Sequence, residues 1–333
     1  MSTTALHLLV LNAHAPSARP RPALEALLRR LAPSPRQLVP EDAPETAPER
    51  ALALALGLAT DPAQAAPWAA LQAHAWGLPS AGRTAWGWLS LCHWQVGMDH
   101  VFMHEPEALA LEAAEAQALR AAIEPLLAED GLALHEPPTA SPEAPAVPSA
   151  WRAALDAVRP RGVCWLVEGE ALRGRRLASV ARAAGADVRP WLPRERRDPL
   201  ARLLSELQMQ LYAHPVNDAR AARRQPLANA VWFSAAGSLE APPEPRPLQI
   251  DATLAQASVT GADRAPARDE AWAKLDRGPL AQLAAAAARG EPVTLTLCGA
   301  QAFQTWGPER RGLGQRISRF FGRTPASNGL LSL

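Results

Sequence analysis

Apolar positions along the chain form two patterns. Short unbroken runs appear at LHLLVL (6–11), VCWLVEG (163–169), ANAVWFSAAG (228–237) and PVTLTLCGA (292–300). Their length suits a strand, and their lack of alternation suits one covered on both faces. WQVGMDHVFMHE (94–105) is strand-like in composition, and ADVRPWLP (186–193) reads as an edge strand ended by proline.

The second pattern repeats every three or four residues. It predicts helices in ALEALLRRLA, ERALALALGL, WAALQAHAWGL, ALALEAAEAQALRAAIEPLLAE, DPLARLLSELQMQLYA and LDRGPLAQLAAAAARG. Asp198 and Pro199 make an N-terminus, with Leu200, Leu203, Leu204, Leu207 and Leu211 as one stripe. Gly57 and Gly290 fall where helix C-caps are expected. Residues 33–48 read as irregular, and EPPTASPEAPAVPSA (136–150) as a proline-rich loop. Helices interleaved with buried strands imply an α/β fold, a mostly parallel sheet flanked by helices. One domain over residues 1–333 is expected.

Composition changes this picture little. The 333 residues are 48% hydrophobic and 20% charged, with net charge +1, so no overall field favours nucleic acid or an anionic membrane. Cys92, Cys164 and Cys298 are far apart with no CxxC, which fits a reducing compartment. The first apolar run is too short for a signal peptide or a membrane span, so a cytoplasmic protein is expected.

Several chemistries lack their motifs. There is no GxGxxG after a strand, no GxxxxGK[ST], no GxSxG and no HExxH. His93, His100 and His104 lie close in sequence. On a helix the last two would share a face and could chelate a metal; on a strand they are about 13 Å apart and become polar residues of a sheet edge, the preferred reading. Trp76, Trp86, Trp88 and Trp94 can form a stacking surface, or supply an aromatic core in a chain with one Tyr and five Phe, which is preferred. The basic tail RRGLGQRISRFFGR (310–323) can bind a membrane surface or a partner, or pack on its own domain.

HPVNDARAARRQPLANAVWF (214–233) concentrates polar and punctuating residues. Read structurally, a helix ends at His214–Pro215, Asn217 caps a short helix, Pro226 ends it and a strand follows. Read functionally, His214, Asn217, Arg220, Arg224 and Asn229 converge on an anion, a phosphate or carboxylate. The strand order puts this stretch at the opposite end of strand 229–233 from SAAGS, which favours the structural reading.

The segment LLSELQMQLYAHPVNDARAARRQPLANAVWFSAAG, with CHWQVGMDHV (92–101), KLDRGPLAQL (274–283) and GEPVTLTLCG (290–299), resembles a bacterial family of regulatory proteins of the RpfE type. Arg223–Arg224 depart from that pattern, which has a glycine there. The family is in turn similar to archaeal-type cofactor-independent phosphoglycerate mutases of the alkaline phosphatase superfamily. That resemblance implies two divalent metal ions, such as Mn, and a nucleophilic Ser.

The ligand positions it implies are altered. Where Asp-Gly should end the first strand stand Asn12 and Ala13, and where Asp and His should follow the last strand stand Cys298 and Gly299. Residues 247–273 contain no histidine, and the region matching the nucleophile, 44–62, offers Thr46. Two clustered cations need several carboxylate and imidazole ligands. The expectation is therefore a degenerate alkaline-phosphatase-like core, without metal or other cofactor, that binds a small anion or a protein partner and is not catalytic. The alternative is a surviving phosphotransferase or phosphohydrolase holding two divalent ions.

Overall fold

The computed structural model describes residues 5–13, 20–58, 61, 63–137, 146–193, 195, 197–259 and 264–308. The basic tail 310–323 and most of the proline-rich loop (138–145) lie outside them. Where one domain was expected, the chain gathers into two compact units. The first comprises Met1–Glu41, Ala47–Gly57 and Glu244–Leu333; the second comprises Asp42–Thr46 and Leu58–Pro243.

In the first unit the sheet runs Leu248–Asp251, Leu6–Val10, Val293–Cys298, Ala302–Gly307 and Ala32–Pro33, with Gln37–Leu38 also on Ala302–Gly307. The first three strands are parallel, and Val293–Cys298 and Ala302–Gly307 form an antiparallel hairpin. Leu8, Val10, Leu295 and Leu297 pack with Leu24 and Leu27 of helix Pro22–Arg30 and Leu283 of helix Ala281–Ala288. Successive side chains point to opposite faces, so Leu9 and Thr296 face the other way. Helix Ala47–Leu56 contacts the hairpin strands. The residue after that helix, Gly57, has φ +79°, and a Cβ there would meet the Arg246 guanidinium at 2.6 Å.

The LDRGPLAQL segment holds a feature that periodicity does not reveal. Asp276–Leu280 is a π-helical turn carrying Pro279, inserted before helix Ala281–Ala288. It brings the buried Asp276 carboxylate to the start of helix Pro22–Arg30, where it accepts from Leu24 N (2.9 Å) and Ala23 N (3.3 Å). That helix has no capping bond from its own Arg21, whose guanidinium lies over Trp272. Asp276 supplies the missing acceptor.

The sheet of the second unit corrects the expected strand direction. It runs Ala133–His135, Cys164–Glu168, Trp86–Cys92 and Ala230–Gly237, antiparallel throughout. Among the described residues, parallel pairing is therefore confined to three strands of the first unit. An unbroken apolar run reports burial on both faces and says nothing of direction. Central strand Trp86–Cys92 is buried along its whole length. Leu89 and Leu91 pack with Leu119, Ile123 and Leu127 of helix Ala113–Glu129 and with Leu200, Leu203, Leu207 and Leu211 of helix Pro199–Tyr212. Asp198 caps the latter helix by accepting from Leu200 N (2.9 Å). Trp88 donates to Gln72 Oε1 of helix Trp68–Ala75 (2.5 Å), so Trp86 and Trp88 are core residues.

Trp94–Val96 and Val101–Met103 form a separate two-stranded ribbon, packed on Val188 and Trp232. ADVRPWLP is not a strand: Arg189–Trp191 is one 3₁₀ turn, joined to the ribbon by a single bridge from Asp187 to Phe102. The Asp187 carboxylate accepts from Val101 N and Arg189 N and pairs with the Arg189 guanidinium, which stops the segment from extending. No helix among the described residues is long and apolar enough to cross a membrane.

Candidate functional site

In the first unit, ligand chemistry would fall at the carboxyl ends of the parallel strands. The chain brings Asn12, Cys298 and Asp251 there together. Ala13 N donates to Cys298 O (2.7 Å), and Leu11 N donates to Asp251 O (2.9 Å). Asn12 is half-buried at φ +57°. Burial of Cys298 pushes its thiol well above the ordinary range. Gly299 N donates to Ala302 O (2.8 Å), closing the hairpin. Asp251 Oδ1 accepts from Thr253 N (2.9 Å) at the start of helix Thr253–Val259.

One carboxylate already used as a cap, one amide and one neutral thiol do not fit two divalent ions. No group of three His, Cys, Asp or Glu side chains among the described residues could hold a metal. One turn back along the same sheet, His7 Nε2 lies 2.8 Å from Thr296 Oγ1, itself 2.8 Å from Thr305 Oγ1. Burial, then the nearby Arg246, lower the His7 imidazole to about 4.

The five residues of HPVNDARAARRQPLAN do not act together. His214, not Asn217, caps the helix, which begins at Pro215: its Nδ1 accepts from Val216 N (3.2 Å). Proline suits the first helical position, so the cap falls one residue before it. Asn217 is buried inside the helix. Its amide donates to Leu211 O (2.8 Å) and Ala228 O (3.0 Å) and accepts from Ala228 N (2.9 Å), tying helix end to strand start. Arg220 is 1% exposed and donates to Pro226 O, Leu109 O and the Glu115 carboxylate. Glu115 also takes Arg223 and caps its own helix through Glu112 N. Asn229 accepts from Trp94 N (2.7 Å) and donates to Trp94 O (2.9 Å), fastening the ribbon.

Arg224 differs from the other four. Helix Pro215–Ala222 ends in a Schellman motif, with Arg224 N donating to Ala221 O (3.0 Å) and Gln225 N to Arg220 O (2.9 Å). That motif puts Arg224 at φ +57°, where glycine is favoured. Its side chain is exposed and makes no hydrogen bond or ion pair with any described residue. It lines a cleft of about 340 Å³ with His93, Gln95, His104, Glu105, Ala108, Leu109, Gln225, Pro226 and Leu227.

The cleft histidines are oriented. His93 Nδ1 lies 2.9 Å from Leu227 O, so Nδ1 donates and Nε2 is left as an acceptor when the ring is neutral. His104 Nε2 lies 3.0 Å from Gln95 Oε1, and the two rings are 5.0 Å apart. His100 is elsewhere, against Asp99 at the ribbon turn. Partial burial, then Glu107, push the Glu105 carboxyl up. Gln95 and Glu105 carry no sequence signal, since three separate segments build the cleft. The visible marks were His93, His104 and the departure at Arg223–Arg224.

No family model and no curated relative matches the chain. Among solved structures it is similar to a cofactor-independent phosphoglycerate mutase from Thermoplasma acidophilum DSM 1728, at 12% identity, TM-score 0.36, over 94% of this chain and 92% of that one. It is also similar to the PH0037 protein from Pyrococcus horikoshii, at 11% identity, TM-score 0.38, over 92% of this chain and 87% of that one. The resemblance is distant and assigns no residue a role.

Proposed function

We propose that this chain is a binding or regulatory protein of the RpfE type, on a scaffold related to phosphoglycerate mutase whose two-metal centre has been lost. The observation that carries this reading is the donor set at the strand ends. Asn12, in the turn after strand Leu6–Val10, and Cys298, at the end of the adjacent parallel strand, stand where the sequence resemblance calls for carboxylate and imidazole. The carboxylate beside them, Asp251, caps a helix. Such a set cannot supply the Lewis acid and activated nucleophile of phosphoryl transfer.

The test is metal analysis of the purified protein, with mutase and phosphatase assays run in Mn and Zn. Less than one tightly held divalent ion per chain and no turnover are expected. Two tightly held ions with either activity would overturn the reading and restore the phosphotransferase alternative.

A further inference from the structure

The cleft beside Arg224 carries two unlike charges that the fold leaves uncompensated. Arg224 and Glu105 both line it, they do not pair with each other, and neither side chain bonds to any described residue. Several arginines of this unit are engaged: Arg220 and Arg223 with Glu115, Arg175 with Asp198, Arg202 with Asp130. Arg224 also occupies a backbone conformation that a glycine would fill with less strain. Strain held at a cleft is a signature of a functional position. His93 lines the same cleft, and Leu227 O holds its Nδ1 as the donor, which leaves Nε2 as an acceptor. Ala108, Pro226 and Leu227 form an apolar wall. The volume, about 340 Å³, is at the small end for ligand pockets.

We propose that this cleft binds a free α-amino acid with an apolar side chain. The carboxylate pairs with the Arg224 guanidinium, which suits planar two-oxygen recognition. The ammonium is taken by Glu105 and His93 Nε2, and the side chain lies on the Leu227 wall. This deepens the binding reading above but is tested apart from it: metal analysis reads the strand ends, and the titration reads the cleft.

The titration follows the imidazole resonances of His93 and His104 in the full chain as L-leucine, L-valine or L-phenylalanine is added. At least one should give a saturable shift. Its amide, lacking the carboxylate, and its N-acetyl derivative, lacking the ammonium, should bind at least tenfold more weakly. Arg224→Gly should weaken binding at least tenfold while the fold persists, since glycine suits that conformation. Glu105→Gln, at an exposed position, should do the same. The proposal is overturned if none of the three saturates, if either derivative binds as tightly as its parent, or if either variant leaves the affinity unchanged.

Discussion

The strand ends of the first unit and the cleft of the second treat polar groups in opposite ways. At the strand ends Asp251 caps a helix, Cys298 is buried as a neutral thiol and Gly299 closes a hairpin. In the cleft Arg224 and Glu105 face outward with no partner among the described residues. The contrast recurs within one stretch of sequence: of the candidate residues His214, Asn217, Arg220, Arg224 and Asn229, all but Arg224 are bound to the protein's own backbone or carboxylates. Chemical richness in a sequence therefore does not locate a site. A site is where such groups remain after the fold has used what it needs.

The largest effect should come from Arg220. Losing a buried guanidinium orphans the acceptors it satisfies, at roughly 1–3 kcal/mol for each buried group left unpaired. Arg220→Ala leaves Glu115 with Arg223 and orphans the Pro226 and Leu109 carbonyls. Denaturant unfolding should show that loss. A loss below about 1 kcal/mol, typical of an exposed pair, would return Arg220 to the candidate ligand residues and erase the contrast.

His7 provides the next test. Its imidazole titrates at about 4 in the folded protein and near 6.5 when unfolded. The unfolded chain therefore takes up the proton first as pH falls. This stabilisation is complete above pH 6.5, shrinks between 6.5 and 4, and changes no further below. Up to roughly 3 kcal/mol is at stake, since each tenfold difference in proton affinity is worth about 1.4 kcal/mol. His7→Gln, which keeps a hydrogen-bonding group near Thr296, should flatten the pH profile in that window. An unchanged profile would mean that His7 is solvated and that the Thr296–Thr305 pair does not depend on it.

Asn217→Ala should cost roughly 2 kcal/mol, because it leaves Leu211 O, Ala228 O and Ala228 N without their buried partner. Thermal unfolding reads this directly. An equal-sized change in amino-acid affinity with no change in stability would assign Asn217 to the ligand instead.

These residues also show what the sequence could reveal. Strands Leu6–Val10, Cys164–Glu168, Ala230–Gly237 and Val293–Cys298, and the Leu200–Leu211 stripe, were legible because burial imposes a period on residue type. Trp86–Cys92 was not: glycine and serine interrupt WGWLSLC, and its wholly buried neighbours give no alternation to detect. Edge strand Leu248–Asp251 and hairpin strand Ala302–Gly307 were missed because four to six residues, only partly buried, carry too little pattern. Strand direction rests on pairings such as Leu89 with Trp165 and Phe233, and the Asp276 cap on a contact 252 positions away in sequence, which no local signal encodes. The cleft was legible only in outline. His93, His104 and Arg224 each drew notice, but nothing in the sequence joins the ribbon to the helix end.

The smallest change gives the cleanest test of the comparison. An L-residue in the left-handed region costs roughly 1–2 kcal/mol, and glycine at the C′ position of a Schellman motif avoids most of it. Arg224 makes no side-chain bond that offsets this strain. Arg224→Gly should therefore raise stability by about 1 kcal/mol, whereas Arg220→Ala, four residues earlier, should lower it severalfold more. A residue kept at the expense of stability is one whose side chain serves something other than the fold. If Arg224→Gly instead destabilises the protein, the guanidinium belongs to the structure as Arg220 does, and the cleft loses its only unengaged cation among the described residues.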